Sequence, residues 1–184
     1  MFRLLAPLML CLIFAPPPAL ADAAQDRAEI QTMKSKALAR LYKEHPSAKG
    51  KVESAYGTAV FSSGGVNVIF FSAAYGSGVA HNNMTGKDTY MKMASGGVGL
   101  GAGVKDYRLI FVFHTKEAFD RFVTEGWDLS GQADAAAKAG TDGGEISEAG
   151  TVVRGATIYQ LTENGLALQA TIQGTKYWAD SDLN

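Results

Sequence analysis

Between Ala24 and His45 the apolar residues Ile30, Met33, Ala37, Leu38, Leu41 and Tyr42 recur at helical spacing and form one stripe. Lys36, Arg40 and Lys43 fall together on the opposite side, and Pro46 stops the element. A short second helix is expected over about Ser47 to Tyr56, with Val52, Ala55 and Tyr56 inward. From Gly57 the period changes to two. Thr58 to Phe61 and Val66 to Ser72 read as strands, with Ser62-Ser63-Gly64-Gly65 as the turn between them. Another short apolar run holds Gly76 and Gly78, and His81 to Asp88 reads as a polar loop. Asn83-Met84-Thr85 within it is a glycosylation sequon, meaningful where the host glycosylates exported proteins.

The stretch from Met93 to Phe113 sets glycine at positions 97, 99, 101 and 103. A dinucleotide-binding turn needs G-x-G-x-x-G between a strand and a helix whose N-terminus faces the pyrophosphate. Here Val98, Leu100, Ala102 and Val104 alternate with the glycines, and Leu109-Ile-Phe-Val-Phe113, a β-prone run, comes next. Alternation at period two describes a strand with one bare face. Gly97, Gly99, Gly101 and Gly103, with Tyr90, Met91 and Met93 nearby, are therefore candidates for a glycine-rich apolar surface. Methionine adapts to irregular apolar partners, although core packing is the simpler reading of Met91 and Met93.

Further on, Thr115 fits an N-cap for a helix over Lys116 to Glu125, with Ala118, Phe119, Phe122 and Val123 inward and Gly126 as its stop. Trp127 to Ala139 is alanine-rich, which favours helix, but its polar and apolar residues separate by parity, and a strand is expected. Gly140 to Gly150 reads as a loop. Val152 to Thr162 and Leu166 to Gln173 read as two strands joined at Glu163-Asn164-Gly165, where Asn-Gly marks a tight hairpin.

The first 21 residues stand apart. Arg3 precedes an apolar run from Leu4 to Phe14, three prolines follow, and Ala19-Leu20-Ala21 suits a signal peptidase. Residues 1–21 are expected to be a cleaved export signal and residues 22–184 one domain. Cleavage after Ala21 would remove Arg3 and the single cysteine, Cys11, leaving 16 basic and 18 acidic side chains. A mature chain of that size buries roughly 70% of its unfolded surface without disulfide help. Its near-neutral charge does not favour nucleic acid as a partner.

The candidate chemistry is sparse. His45, His81 and His114 are far apart in sequence, and without cysteine a zinc site is not expected. Asp142, Glu145 and Glu148 form an acidic cluster short of the ligand spacing of a calcium loop. There is no G-x-S-x-G nucleophile turn, so no catalytic residue and no cofactor is assigned.

The order of motifs resembles the SYLF-domain family. The residues that carry the likeness are Tyr56-Gly57-Thr-Ala-Val-Phe61, Gly76-Ser-Gly78, Gly96 to Asp106, Ala139-Gly-Thr141 and Ile158 to Leu168. The resemblance implies an α+β, β-rich single domain: a mostly antiparallel curved sheet, barrel-like or a sandwich, with an N-terminal helix. It also implies binding to membrane lipids. Where the family usually has Gly-Arg-Gly this chain has Gly76-Ser77-Gly78, so a basic headgroup contact is lost or moved. The expected function is a non-catalytic, exported lipid-binding module at the cell envelope, in the periplasm or envelope-associated and peripheral on a membrane. Anionic phospholipids are its expected partners, with Lys36, Arg40 and Lys43 meeting headgroups. The alternative is an envelope structural or protein-interaction domain without lipid affinity.

Overall fold

A computed structural model describes residues 18–68, 71–98, 103–104, 107–128, 146–147, 150–162, 165–167 and 175–184. The expected signal segment up to residue 17, Gly99, Gly101, residues 129–139 of the Trp127–Ala139 stretch, the acidic residues Asp142, Glu145 and Glu148, and residues 168–173 lie outside the described residues.

Helix α1 (Pro18–Glu44) is followed by α2 (Ser47–Ser54). Next come the strands β1 (Gly57–Val68), β2 (Phe71–Asn82), β3 (Asp88–Val98), β4 (Gly103–Val104) and β5 (Tyr107–Phe113). Helix α3 (Lys116–Glu125) then precedes β6 (Trp127–Asp128), β7 (Ile146–Ser147), β8 (Gly150–Val153), β9 (Ala156–Thr162), β10 (Gly165–Ala167) and β11 (Thr175–Ala179). All described pairings are antiparallel, in the order β6-β11-β3-β2-β1-β5-β9-β8-β7, with β4 beside β1 and β10 beside β9. The α+β, β-rich architecture matches the expectation.

At β5 both faces of the sheet are covered, which explains why this strand is apolar without alternation: Leu109 to Phe113 are all buried. On one face Val60, Ile110, Val112, Tyr159 and Leu161 pack against Ala37 and Leu41 of α1 and Ala48 and Val52 of α2. On the other, concave face the sheet curls around α3. Phe61, Phe111, Phe113, Phe122, Trp127 and Tyr177 meet there at ring-centroid distances of 5.0 to 6.3 Å, mostly edge to face. The expected stripe of α3 is the one buried. Its cap is the one expected too: Thr115 accepts a hydrogen bond from the Ala118 N–H, and Gly126 ends the helix at φ 72°.

Three local expectations are corrected. Ser62 to Gly65 does not turn. It lies inside β1, where Ser63 pairs with Gly76 and Gly64 with Tyr75, and the hairpin closes beyond the Val68–Phe71 pair. Small residues in a strand looked like a turn because their large neighbours come from the opposite strand. Val152 to Thr162 is not one strand. Arg154 and Gly155, at φ 49° and 81°, turn it into the β8–β9 hairpin. Finally, the glycines of Met93–Val104 do not share one strand: Gly97 lies in β3, beside β2, and Gly103 lies in β4, beside β1. The element after β4 is the strand β5 and not a helix, so the strand–turn–helix order of the dinucleotide pattern is absent among the described residues.

Candidate functional site

Alternation assigns side chains to the two sheet faces. Val79 packs against Ile30 of α1, so Ser77 and Tyr75 lie on the same, helix-bearing face of β2. The strand register extends this face into a row: Lys92 opposite Ser77, Ser77 opposite Ser62, Ser62 opposite Arg108, and Arg108 opposite Leu161. Ser77 occupies the position where the resembling pattern has arginine. The basic residues of this row are Lys92, opposite Ser77, and Arg108, one strand beyond Ser62.

Two grooves open between α1 and this row. The larger, about 630 Å³, runs between α1 and the β5–β9 pair; Lys36, Arg40 and Arg108 border it, with Met33, Ala37 and Leu161 as its apolar part. Arg40 holds its place by two bonds, Nε to Glu44 Oε1 at 2.7 Å and Nη2 to the Thr162 carbonyl at 2.6 Å. Arg108 is half-buried and donates through Nη1 to the Tyr107 carbonyl at 3.2 Å. The smaller groove, about 480 Å³, shares Glu29, Met33 and Arg108 but adds Asp26, Lys92 and Asp180. Lys92 is already bound there, at 2.8 Å from Asp180 and 3.1 Å from Asp182, and these carboxylates raise its pKa. The signs decide between the two. Three cations face Glu29 and Glu44 around the larger groove, whereas Lys92 and Arg108 face Asp26, Glu29 and Asp180 in the smaller. An anion is favoured only in the larger groove.

The structure brings Lys36 and Arg40 together at this groove but leaves Lys43, exposed in the last turn of α1, outside its lining. Sequence reading missed Arg108. Only the strand register, set by residues far along the chain, carries it to α1. Met91 and Met93 are fully buried on the concave face, in one cluster with Phe61, Phe111 and Tyr177. Tyr90 faces the other way: its hydroxyl accepts from Gln31 Nε2 at 3.2 Å and the Arg27 guanidinium lies 5.9 Å from its ring. These residues therefore form no common apolar surface. The histidines are dispersed: His81 Nδ1 is 2.7 Å from Asp88 Oδ1 and His114 Nε2 2.9 Å from Thr157 Oγ1. Among the described residues no group of three or more His, Cys, Asp or Glu could hold a metal ion, and no helix is long and apolar enough to cross a membrane.

A curled antiparallel sheet, backed by an N-terminal amphipathic helix and filled by one short helix, defines a small α+β domain with its groove under the first helix. Residues 94–184 match the family described as Ysc84: Las17-binding protein actin regulator. Over 161 residues, 88% of its length, the chain is 42% identical to beta cell expansion factor A of Aeromonas veronii. It spans 60% of that relative's length. Residues 94–184 therefore carry the domain of the SYLF (Ysc84) family.

Proposed function

We propose that this protein is a non-catalytic, exported module that binds anionic phospholipid peripherally at an envelope membrane. The observation that supports the reading is the larger α1 groove, where Lys36, Arg40 and Arg108 border the apolar Met33, Ala37 and Leu161. Such a lining suits an amphiphile: the cations meet a headgroup, and the apolar part meets the start of an acyl chain. Export rests on the sequence from Arg3 to Ala21.

Flotation with phosphatidylglycerol and phosphatidylcholine vesicles at low and moderate salt tests the reading. Binding is expected to anionic vesicles and to weaken with salt. Each basic residue near such a surface contributes about 1 kcal/mol, so Lys36→Glu with Arg40→Glu should weaken binding by roughly 100-fold or more. Lys43→Glu alone should do far less. Equal binding by the double variant would remove α1 from the site. The family's description as Las17-binding supports a second reading, a protein-interaction domain. That reading takes first place if the protein floats with neither kind of vesicle.

A further inference from the structure

Beyond α1 the helix-bearing face of the sheet has no cover among the described residues. In the next row Gly64 pairs with Tyr75, Tyr75 with Ala94, and Ala94 with Lys176 of β11. Tyr75 is 72% exposed there. Trp178 is 39% exposed, and since Tyr177 points into the concave core, Trp178 stands on the same face as Tyr75. It pairs with Lys92, so Trp178 and Tyr75 stand two strands and two residues apart, about 12 Å between their backbone positions, with Ala94 beside Tyr75 on the strand between them. Gly64 and Ala73 on the same face are exposed as well. Large aromatic side chains are normally the first to be buried, and the other tryptophan, Trp127, is 2% exposed.

From this we infer that Tyr75 and Trp178 seat the domain in the interfacial layer of a lipid bilayer, with the α1 groove facing the same membrane. Three observations select a bilayer as the occupant. Tyrosine and tryptophan carry an apolar ring with a polar edge, the combination that settles between headgroups and acyl chains. Lys176 beside them, 64% exposed and 3.1 Å from Asp128, has a stem long enough to keep this ion pair in water while the rings go deeper. Lys36, Arg40 and Arg108 lie on the same side of the sheet and complement an anionic surface. The inference rests on the proposed lipid function and adds the orientation: the sheet face, rather than the outer side of α1, approaches the bilayer.

The two tryptophans make a direct test. In Trp127→Phe the emission comes from Trp178 alone. With phosphatidylglycerol vesicles it is expected to shift to the blue and to be quenched by bromine-labelled acyl chains. If that variant does not fold, the difference between the native protein and Trp178→Phe gives the same reading. Tyr75→Ser alone, at a side chain 72% exposed, should leave the melting temperature nearly unchanged. Together with Trp178→Ser, which also removes the packed part of a ring 39% exposed, it should lower vesicle affinity by ~10-fold or more. Flotation without any change at Trp178 would overturn the orientation and leave lipid binding standing. No flotation at all would overturn both. A blue shift that grows with protein concentration in the absence of lipid, together with a dimer in sedimentation, would overturn the inference and assign the face to a second copy.

Discussion

The ring of Phe61 lies where a side chain of Gly78 would be: a Cβ built on Gly78 comes within 2.5 Å of the ring and 2.4 Å of the Val60 carbonyl. The two residues are paired across β1 and β2, so the glycine is what allows the aromatic core to close against its own sheet. Gly78→Ala should therefore destabilise the fold by about 1–3 kcal/mol. Gly96→Ala, with nothing within 4 Å of its Cβ, should change stability by no more than about 0.5 kcal/mol. Urea unfolding of the two variants checks the contrast, and equal stability would mean that Phe61 moves aside at no cost.

Asn83 is the acceptor of a glycosylation sequon, yet its Nδ2 is committed. It donates to the carbonyls of Val52 and Ala55 at 2.9 and 3.0 Å, tying the end of α2 to the β2–β3 turn. Asn83→Ala should cost about 1–2 kcal/mol, measured by thermal unfolding. A glycan on the same nitrogen cannot coexist with both bonds. Expression in a glycosylating host should thus give either an unmodified folded chain or a modified one of lower melting temperature.

Tyr177 is a fully buried phenol of the aromatic core. Burial pushes its phenol well above 10 and Tyr107 adds to the shift, while Thr175 opposes it from close by, short of a well-formed hydrogen bond. Tyr159 and Tyr42 are raised as well, mainly by burial. A phenol that ionises more readily when unfolded contributes stability that is complete below pH 10. The contribution is lost as pH rises toward the folded-state pKa. Unfolding free energy should fall above pH 10 by up to about 1.4 kcal/mol per pH unit for Tyr177. Tyr177→Phe should remove that share of the slope at little cost at pH 7, since the hydroxyl leaves no strong bond behind. An unchanged slope would mean that the ring becomes solvated before it ionises.

Asn184 docks on β3 like an added strand residue. Its Oδ1 accepts from the Tyr90 N–H at 2.9 Å, and its Nδ2 donates to the carbonyls of Tyr90 at 2.9 Å and Asp180 at 2.6 Å. Asn184→Ala should cost about 1–2 kcal/mol and speed amide exchange at Tyr90, whereas α3 should exchange as before.

The helices were readable because each carries its own signals. The 3.6-residue stripe of α1 and the Thr115 cap and Gly126 stop of α3 are local, and the structure reproduces them. The strands were readable as β but not in their limits. Ser62 to Gly65 has the composition of a turn, and only Tyr75 across the strand pair explains why glycine continues a strand there. Arg154 hid the β8–β9 hairpin because a non-glycine residue at positive φ gives little compositional warning. The site divided in the same way: Lys36 and Arg40 share a helix face and were visible, whereas Arg108 joins them only through pairings that span the sheet.

The place of β11 has a consequence for the order of events in folding. Its Tyr177 touches Phe61, Phe111 and Phe122, rings supplied by the first, middle and helical parts of the sheet domain. The strand also pairs with β3, some eighty positions earlier in the chain. The aromatic interior therefore remains open until β11 has been made and has returned to β3. A ribosome-tethered chain lacking β11 would present that interior to chaperones.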